Sequence, residues 1–281
     1  MTMTGTQTAR KGQEAFVPVE VLPFTRVLWK TEDRGLRALV REIGREYVRA
    51  ELETVSQGLR PCATVHVYSE NAWKEVRALG ERGLVFVPIL EVRRVHGFAH
   101  RFYKPRPGEP YDIYGVVAKK AEDALEFAEA SRRGDHRKLG ELLGYPECCV
   151  KFFEEKWVRE RHVDPPWAIA VNTPGAEANG DEVAVRGFPE CNVMIRYASV
   201  RVVPHLPCSF TCEETVEFAK MFLRFMPHGK EALKLLSRPL VWDCWRGVVV
   251  VDHPDFMIVA NSTPYARRKR VRWLGGKPTG P

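Results

Sequence analysis

Along the opening third of the chain, apolar residues alternate in some stretches and recur at helical spacing in others. "FVPVEVLPFTRVLW" reads as extended, and its prolines confine it to an edge or a broken strand. Leu36, Leu39, Val40, Ile43 and Tyr47 then fall on one helical face, in a segment running to about Gly58. "CATVHVY" alternates as a strand does, and "SENAWKEVRALGERG" is a helix opened by Ser69 and closed by Gly83. "LVFVPILEVRRV" and "YDIYGVVAK" are two further strands. This order predicts an α/β (or α+β) fold, a mixed sheet with helices packed on it.

The middle of the chain is helical. "KAEDALEFAEASRRG" presents Ala121, Leu125 and Ala128 on one face, and "DHRKLGELLG" is capped by Asp135. "YPECCVKFFEEKW" starts a third helix with Pro146 at its first position. Residues 162–190, dense in Pro, Gly and Asn, read as a long irregular loop, and "NVMIRYASVRVV" as a strand leading to His205. Thr211 and Glu214 form a capping box that makes Cys212 the first residue of the next helix. Trp242, Cys244 and Trp245 are expected in the core, ahead of a C-terminal β-hairpin that turns at His253-Pro254-Asp255. The expected division is a disordered lead over 1–15, an N-terminal α/β region over 16–110, a cysteine-bearing region with the hairpin over 111–264, and a basic tail over 265–281.

Composition narrows the class. With 44% hydrophobic and 28% charged residues, the chain resembles a globular protein, and no apolar run reaches the ~18 residues of a membrane span. The N-terminus has no hydrophobic run of a secretory signal, so a cytoplasmic location is expected. The net charge of +7 is local: six of 43 basic residues lie in "ARRKRVRWLGGK", and the other 37 nearly balance the 36 acids. Arg267, Arg268, Lys269, Arg270 and Arg272 are therefore the candidates for contact with RNA. A loop with His96, His100, Arg101, Lys104 and Arg106 beside Phe102 and Tyr103 is a second basic-aromatic candidate.

Candidate chemistry lies in the cysteines. Seven of them, an odd number without a secretory signal, argue against a disulfide framework. "HLPCSFTC" sets His205, Cys208 and Cys212 at one helix start, and "YPECC" sets Cys148 and Cys149 at another. Helix starts favour anions and draw thiols toward thiolate, the form that binds metals or attacks electrophiles. By helical rotation Cys149 shares a packed stripe with Phe153 and Trp157, which leaves Cys148 as the freer thiol. "GFPECNV" echoes "GYPECCV" and makes Cys191 a further candidate ligand.

No C-x-x-C, phosphate loop, G-x-S-x-G or H-E-x-x-H occurs. The reading placed first is an iron–sulfur centre serving redox or sulfur-transfer chemistry, with Cys148 and His205 as catalytic candidates and Cys148, Cys149, Cys191, His205, Cys208 and Cys212 as ligand candidates. A structural zinc site in an RNA-binding protein is the alternative, and a metal-free thiol switch is a third.

"LGYPECCVKFF" and "HLPCSFTC" resemble the paired G-[YF]-P-x-C-C and H-x-P-C-S-x-x-C signatures of an uncharacterised domain-of-unknown-function family of archaea and bacteria. The likeness covers roughly residues 111–226. It implies that Cys148, Cys149, His205, Cys208 and Cys212 belong to one site, with His136 as a further candidate.

Overall fold

The computed structural model describes residues 23–95, 102–160, 165–261 and 267–276. Strand β1 (Thr25–Trp29) leads into α1 (Arg34–Ser56), whose first turn is capped by the Asp33 carboxylate accepting from the Gly35 and Leu36 N–H groups. β2 (Cys62–Tyr68), α2 (Ala72–Glu81), β3 (Val85–Arg93) and β4 (Tyr111–Ala118) follow, and α3 (Ala121–Arg133) and α4 (His136–Leu142) come next. Beyond them are α5 (Glu147–Phe153), which continues as a π-helical turn over Glu154–Arg159, and α6 (Pro165–Val171). The second half adds β5 (Glu177–Asn179), β6 (Glu182–Val185), α7 (Glu213–Leu223) and α8 (Gly229–Ser237). It closes with β7 (Leu240–Trp245), β8 (Val248–Asp252), β9 (Phe256–Asn261) and β10 (Lys269–Trp273).

Two sheets form. The small one has the order β2-β4-β3 and is antiparallel throughout. The large one has the order β1-β9-β8-β7-β10-β6-β5, and its β10–β6 pair is parallel, so the sheet is mixed as expected. β8 and β9 form the expected hairpin. A second hairpin, β7–β8, turns at Arg246 and Gly247, both with positive φ, the conformation that matches strand twist in a two-residue turn. The main core lies between the large sheet and α1, α7 and α8, and includes Ile43, Phe222, Leu236, Trp242 and Trp273.

β4 is the central strand of the small sheet and β1 is an edge of the large one. Several expectations need correction. "NVMIRYASVRVV" is no strand: it runs as buried irregular backbone with a short 3-10 turn at Arg196–Ala198. Its continuous apolar run reports burial, which strand and loop share. Residues 165–185 are not irregular but carry α6, β5 and β6. The inward face of α3 is Ala124, Phe127 and Ala128, while Leu125 is 59% exposed. Trp242 and Cys244 are buried, but Trp245, on the opposite strand face, is exposed. Ser69 does not cap α2, because a 3-10 turn at Ser69–Asn71 precedes that helix. The basic run is not a tail but strand β10, paired on both sides, with Val271 and Trp273 buried. Among the described residues, no helix is long and apolar enough to cross a membrane.

Candidate metal centre

Two helix starts meet at the cysteines. Pro146 is the N-cap of α5 rather than its first residue, so Cys148 and Cys149 are the second and third helical positions. Rotation by 100° per residue suggested that only one of them faces the centre. Both do: their Sγ atoms are 3.8 Å apart, and each is 3.7 Å from Cys212 Sγ. Side chains in a first turn tilt toward the helix N-terminus, so adjacent residues can converge on a point off the helix end.

Cys212 is itself the N-cap of α7, one place earlier than the capping box implies, and its backbone is extended at φ −73° and ψ 107°. Cys208 comes from the loop between them, and its backbone N–H donates to Cys149 Sγ at 3.3 Å. The four sulfurs lie within 4.8 Å of one another. Cys149 and Cys212 are buried, whereas Cys148 and Cys208 are partly exposed.

The loop is held from outside the centre. Asn172 Nδ2 donates to the Cys208 carbonyl at 2.7 Å, and the Phe210 N–H donates to Thr173 Oγ1 at 2.9 Å. The Phe188 N–H donates to the Phe210 carbonyl at 2.8 Å. Gly187 permits this approach, since a Cβ there would stand 2.3 Å from the Phe210 carbonyl oxygen. Phe210 also meets Trp273 of β10 edge-on, with centroids 5.3 Å apart.

His205 is buried but is not one of the four converging donors. Its Nε2 is 2.9 Å from Thr215 Oγ1, and its ring lies between those of Tyr145 and Phe218. Burial pushes its pKa down to about 3, so the imidazole is neutral. Thr215 Oγ1 is also 3.4 Å from Cys149 Sγ and thereby joins the histidine to the centre. Thr215 offers no thiolate or imidazole, the donors that the cysteine and histidine spacing points to, and only its position three residues after Cys212, in the first turn of α7, hints at a role.

Cys191 sits in a Pro189–Cys191 turn, as the echoed motif suggests, but its sulfur meets the Cys212 carbonyl oxygen at 3.5 Å and lies outside the group of four. His136, on α4, packs its ring near Phe153.

The four thiols titrate as a set. Hydrogen bonds from Cys149, then from Cys208, hold Cys212 far below the usual thiol range against its burial. Cys149 is pushed far up by its hydrogen bonds with Cys208 and Cys212 and by burial, and Cys148 is raised by burial and the charge of Cys212. A thiolate at Cys212 therefore disfavours ionisation of its neighbours, a repulsion that a cation at the centre would offset.

The basic residues of β10 and the one just before it meet acids on the sheet surface. Arg268 and Arg270 approach Asp243, and Arg270 and Arg272 approach Glu182. Lys269 lies over the Trp167 ring at 5.7 Å. His96, His100 and Arg101 fall outside the described residues.

No curated protein and no solved structure matches the chain. Residues 121–236, which contain all four converging cysteines together with His205 and Thr215, match the model of an uncharacterised family, the protein of unknown function DUF483.

Proposed function

We propose that Cys148, Cys149, Cys208 and Cys212 bind a single metal ion, zinc, in tetrahedral thiolate coordination. The sulfur spacing carries this reading. A zinc–thiolate bond of about 2.3 Å gives an S₄ tetrahedron with edges of ~3.8 Å. Three of the sulfur pairs stand at 3.7, 3.7 and 3.8 Å, and the whole set falls within 4.8 Å. A multi-iron cluster, placed first on sequence grounds, interposes sulfide and several irons between its thiolates and needs a wider cage.

The donor set supports the same reading. Four soft thiolates, with no carboxylate or imidazole among them, suit zinc or a single iron. The Cys208 N–H and the Thr215 hydroxyl stand ready to donate to Cys149 sulfur, as the outer partners of coordinated thiolates do. Four protein ligands close the coordination shell, which is the pattern of a structural site rather than one with an open position for substrate. On this reading Cys148 is a ligand, His205 stays outside the shell, and the ion ties the start of α5 to the start of α7. The chain is then a metal-braced binding protein.

Metal and sulfide analysis of protein purified without oxygen tests the assignment. One zinc per chain, lost in Cys208→Ser/Cys212→Ser, is the expected result. Iron with acid-labile sulfide would reinstate the cluster, and a metal-free chain of unchanged stability would leave a thiol site.

A further inference from the structure

Away from the cysteines, the buried run that follows Cys191 turns back on α1. Its 3-10 turn at Arg196–Ala198 ends in Ser199, which holds a left-handed backbone at φ 65°. Ser199 presses on Gly44 of α1, where an added Cβ would stand 2.8 Å from Ser199 Cβ. That close approach sets Arg196, Tyr197, Ser199 and Arg201 opposite Tyr47 and Val48. With Thr25 of β1 they line a cavity of about 340 Å³.

The charge of this lining is one-sided: it holds two arginines, and none of its described residues is acidic. The Arg201 guanidinium lies over the Tyr47 ring at 4.2 Å and has no hydrogen-bond or ion-pair partner among the described residues. Arg201 is only partly buried, and none of its nitrogens is sealed from solvent. Burial works against its charge, but neighbouring Tyr47, Glu51 and Tyr145 outweigh burial and hold its pKa above the usual arginine value. Glu51 is the acid that faces it, and that carboxylate already accepts from the Tyr47 hydroxyl at 2.6 Å. Arg196 brings a second guanidinium, held over the Tyr197 ring at 5.4 Å, to the same lining.

We propose that this cavity binds the phosphate monoester group of a small organic compound, with the Arg201 and Arg196 guanidiniums on its oxygens. A guanidinium presents its N–H donors in a rigid fork that matches the oxygens of such an anion. Two cations suit a phosphate monoester, which carries a charge of about −1.5 to −2 near pH 7, better than a singly charged carboxylate. The volume is larger than a bare phosphate needs and lies at the low end for small-molecule sites, ~300–1,000 Å³, so the group comes with a short organic part. Tyr197 and Val48 give that part an apolar wall. The site shares no residue with the thiolate centre, so the inference goes beyond the zinc reading and does not depend on it.

Phenyl phosphate, benzoate and inorganic phosphate are the probes, titrated calorimetrically into the full chain at constant ionic strength. Phenyl phosphate is expected to bind at least ~10-fold more tightly than benzoate and to be displaced by inorganic phosphate. Arg201→Gln is expected to weaken it ~10-fold or more, the worth of a charge-assisted hydrogen bond. Arg201 also packs on Tyr47, so Val48→Glu repeats the test at a position 56% exposed, outside the core. The added carboxylate is expected to weaken phenyl phosphate several-fold by like-charge repulsion. Arg132→Gln, which removes one charge from the exposed face of α3, is expected to leave the affinity unchanged. No binding, equal affinity for benzoate, failure of inorganic phosphate to compete, or equal weakening by Arg132→Gln would overturn the proposal. Full affinity in Arg201→Gln or in Val48→Glu would overturn it as well.

Discussion

Cys148 and Cys212, 64 positions apart in the chain, hold their sulfurs 3.7 Å apart. Each belongs to the first turn or cap of a different helix, and without a shared ion only packing keeps them together. A clip across a loop of that length removes chain entropy from the unfolded state, worth about 4 kcal/mol on the model used for disulfides.

The four thiols of the centre and the buried thiol next to it should therefore behave differently. Cys212→Ser is expected to release the metal and to lower stability by about 4 kcal/mol. Cys191→Ala, at a sulfur that meets the Cys212 carbonyl rather than the four converging sulfurs, should retain a full equivalent of metal. Metal analysis and thermal unfolding of the two variants check this. Loss of metal from the Cys191 variant would place that residue in the shell.

Thr215 is expected to act through its hydroxyl rather than its bulk. Thr215→Val leaves His205 Nε2 without its partner and takes one of the donors from Cys149 Sγ, which keeps the Cys208 N–H; this should cost ~1–3 kcal/mol and weaken metal binding at least ~10-fold. Thr215→Ser keeps the hydroxyl and should recover most of the affinity. Chelator competition on both variants measures the difference, and equal losses would make the residue a packing element only.

His253 sets a pH limit on the fold. It is fully buried, Nε2 donates to the Leu235 carbonyl at 3.3 Å, and Nδ1 accepts from the Asp255 N–H at 3.2 Å. Both nitrogens are occupied in the neutral ring, and burial lowers its pKa to about 4. The unfolded chain takes up this proton near pH 6.5, so it binds more protons than the folded chain below that value. Stability should be unaffected above pH 6.5 and fall as pH drops toward 4, by up to ~1.4 kcal/mol per pH unit. Denaturant titrations across that range, with the His253 ring resonance followed by NMR, test it. A ring that titrates near 6.5 in the folded protein would refute the argument.

Strand β10 is expected to be indispensable. It lies between β7 and β6, and Trp273 packs on Phe210 in the loop between Cys208 and Cys212. Ending the chain after residue 266 should abolish cooperative folding. Trp273→Ala should cost ~3–5 kcal/mol and weaken metal retention as the loop loosens. A truncated chain that still melts cooperatively would return this segment to the status of a tail.

Much of the secondary structure was legible locally. The spacing of Val40, Ile43 and Tyr47, the Asp135 cap that accepts from the Lys138 N–H, and the alternation in "CATVHVY" are one-dimensional signals of elements that occur where expected. The same rules failed where tertiary contacts override them. The apolar residues of 192–203 are buried without a sheet partner, and the arginines of β10 mask an alternation of Val271 and Trp273 that packs inward.

The sequence by itself determined which residue types could do chemistry here, two cysteine pairs at two helix starts with a histidine nearby, because propensity and capping act over a few residues. Tertiary structure decided which of them meet. It brought both members of the 148/149 pair to Cys208 and Cys212, set Cys191 and His205 aside, and inserted Thr215 between the histidine and the sulfurs. A distance of a few ångströms between atoms more than sixty residues apart depends on how helices and loops pack, and no local pattern along the chain encodes it.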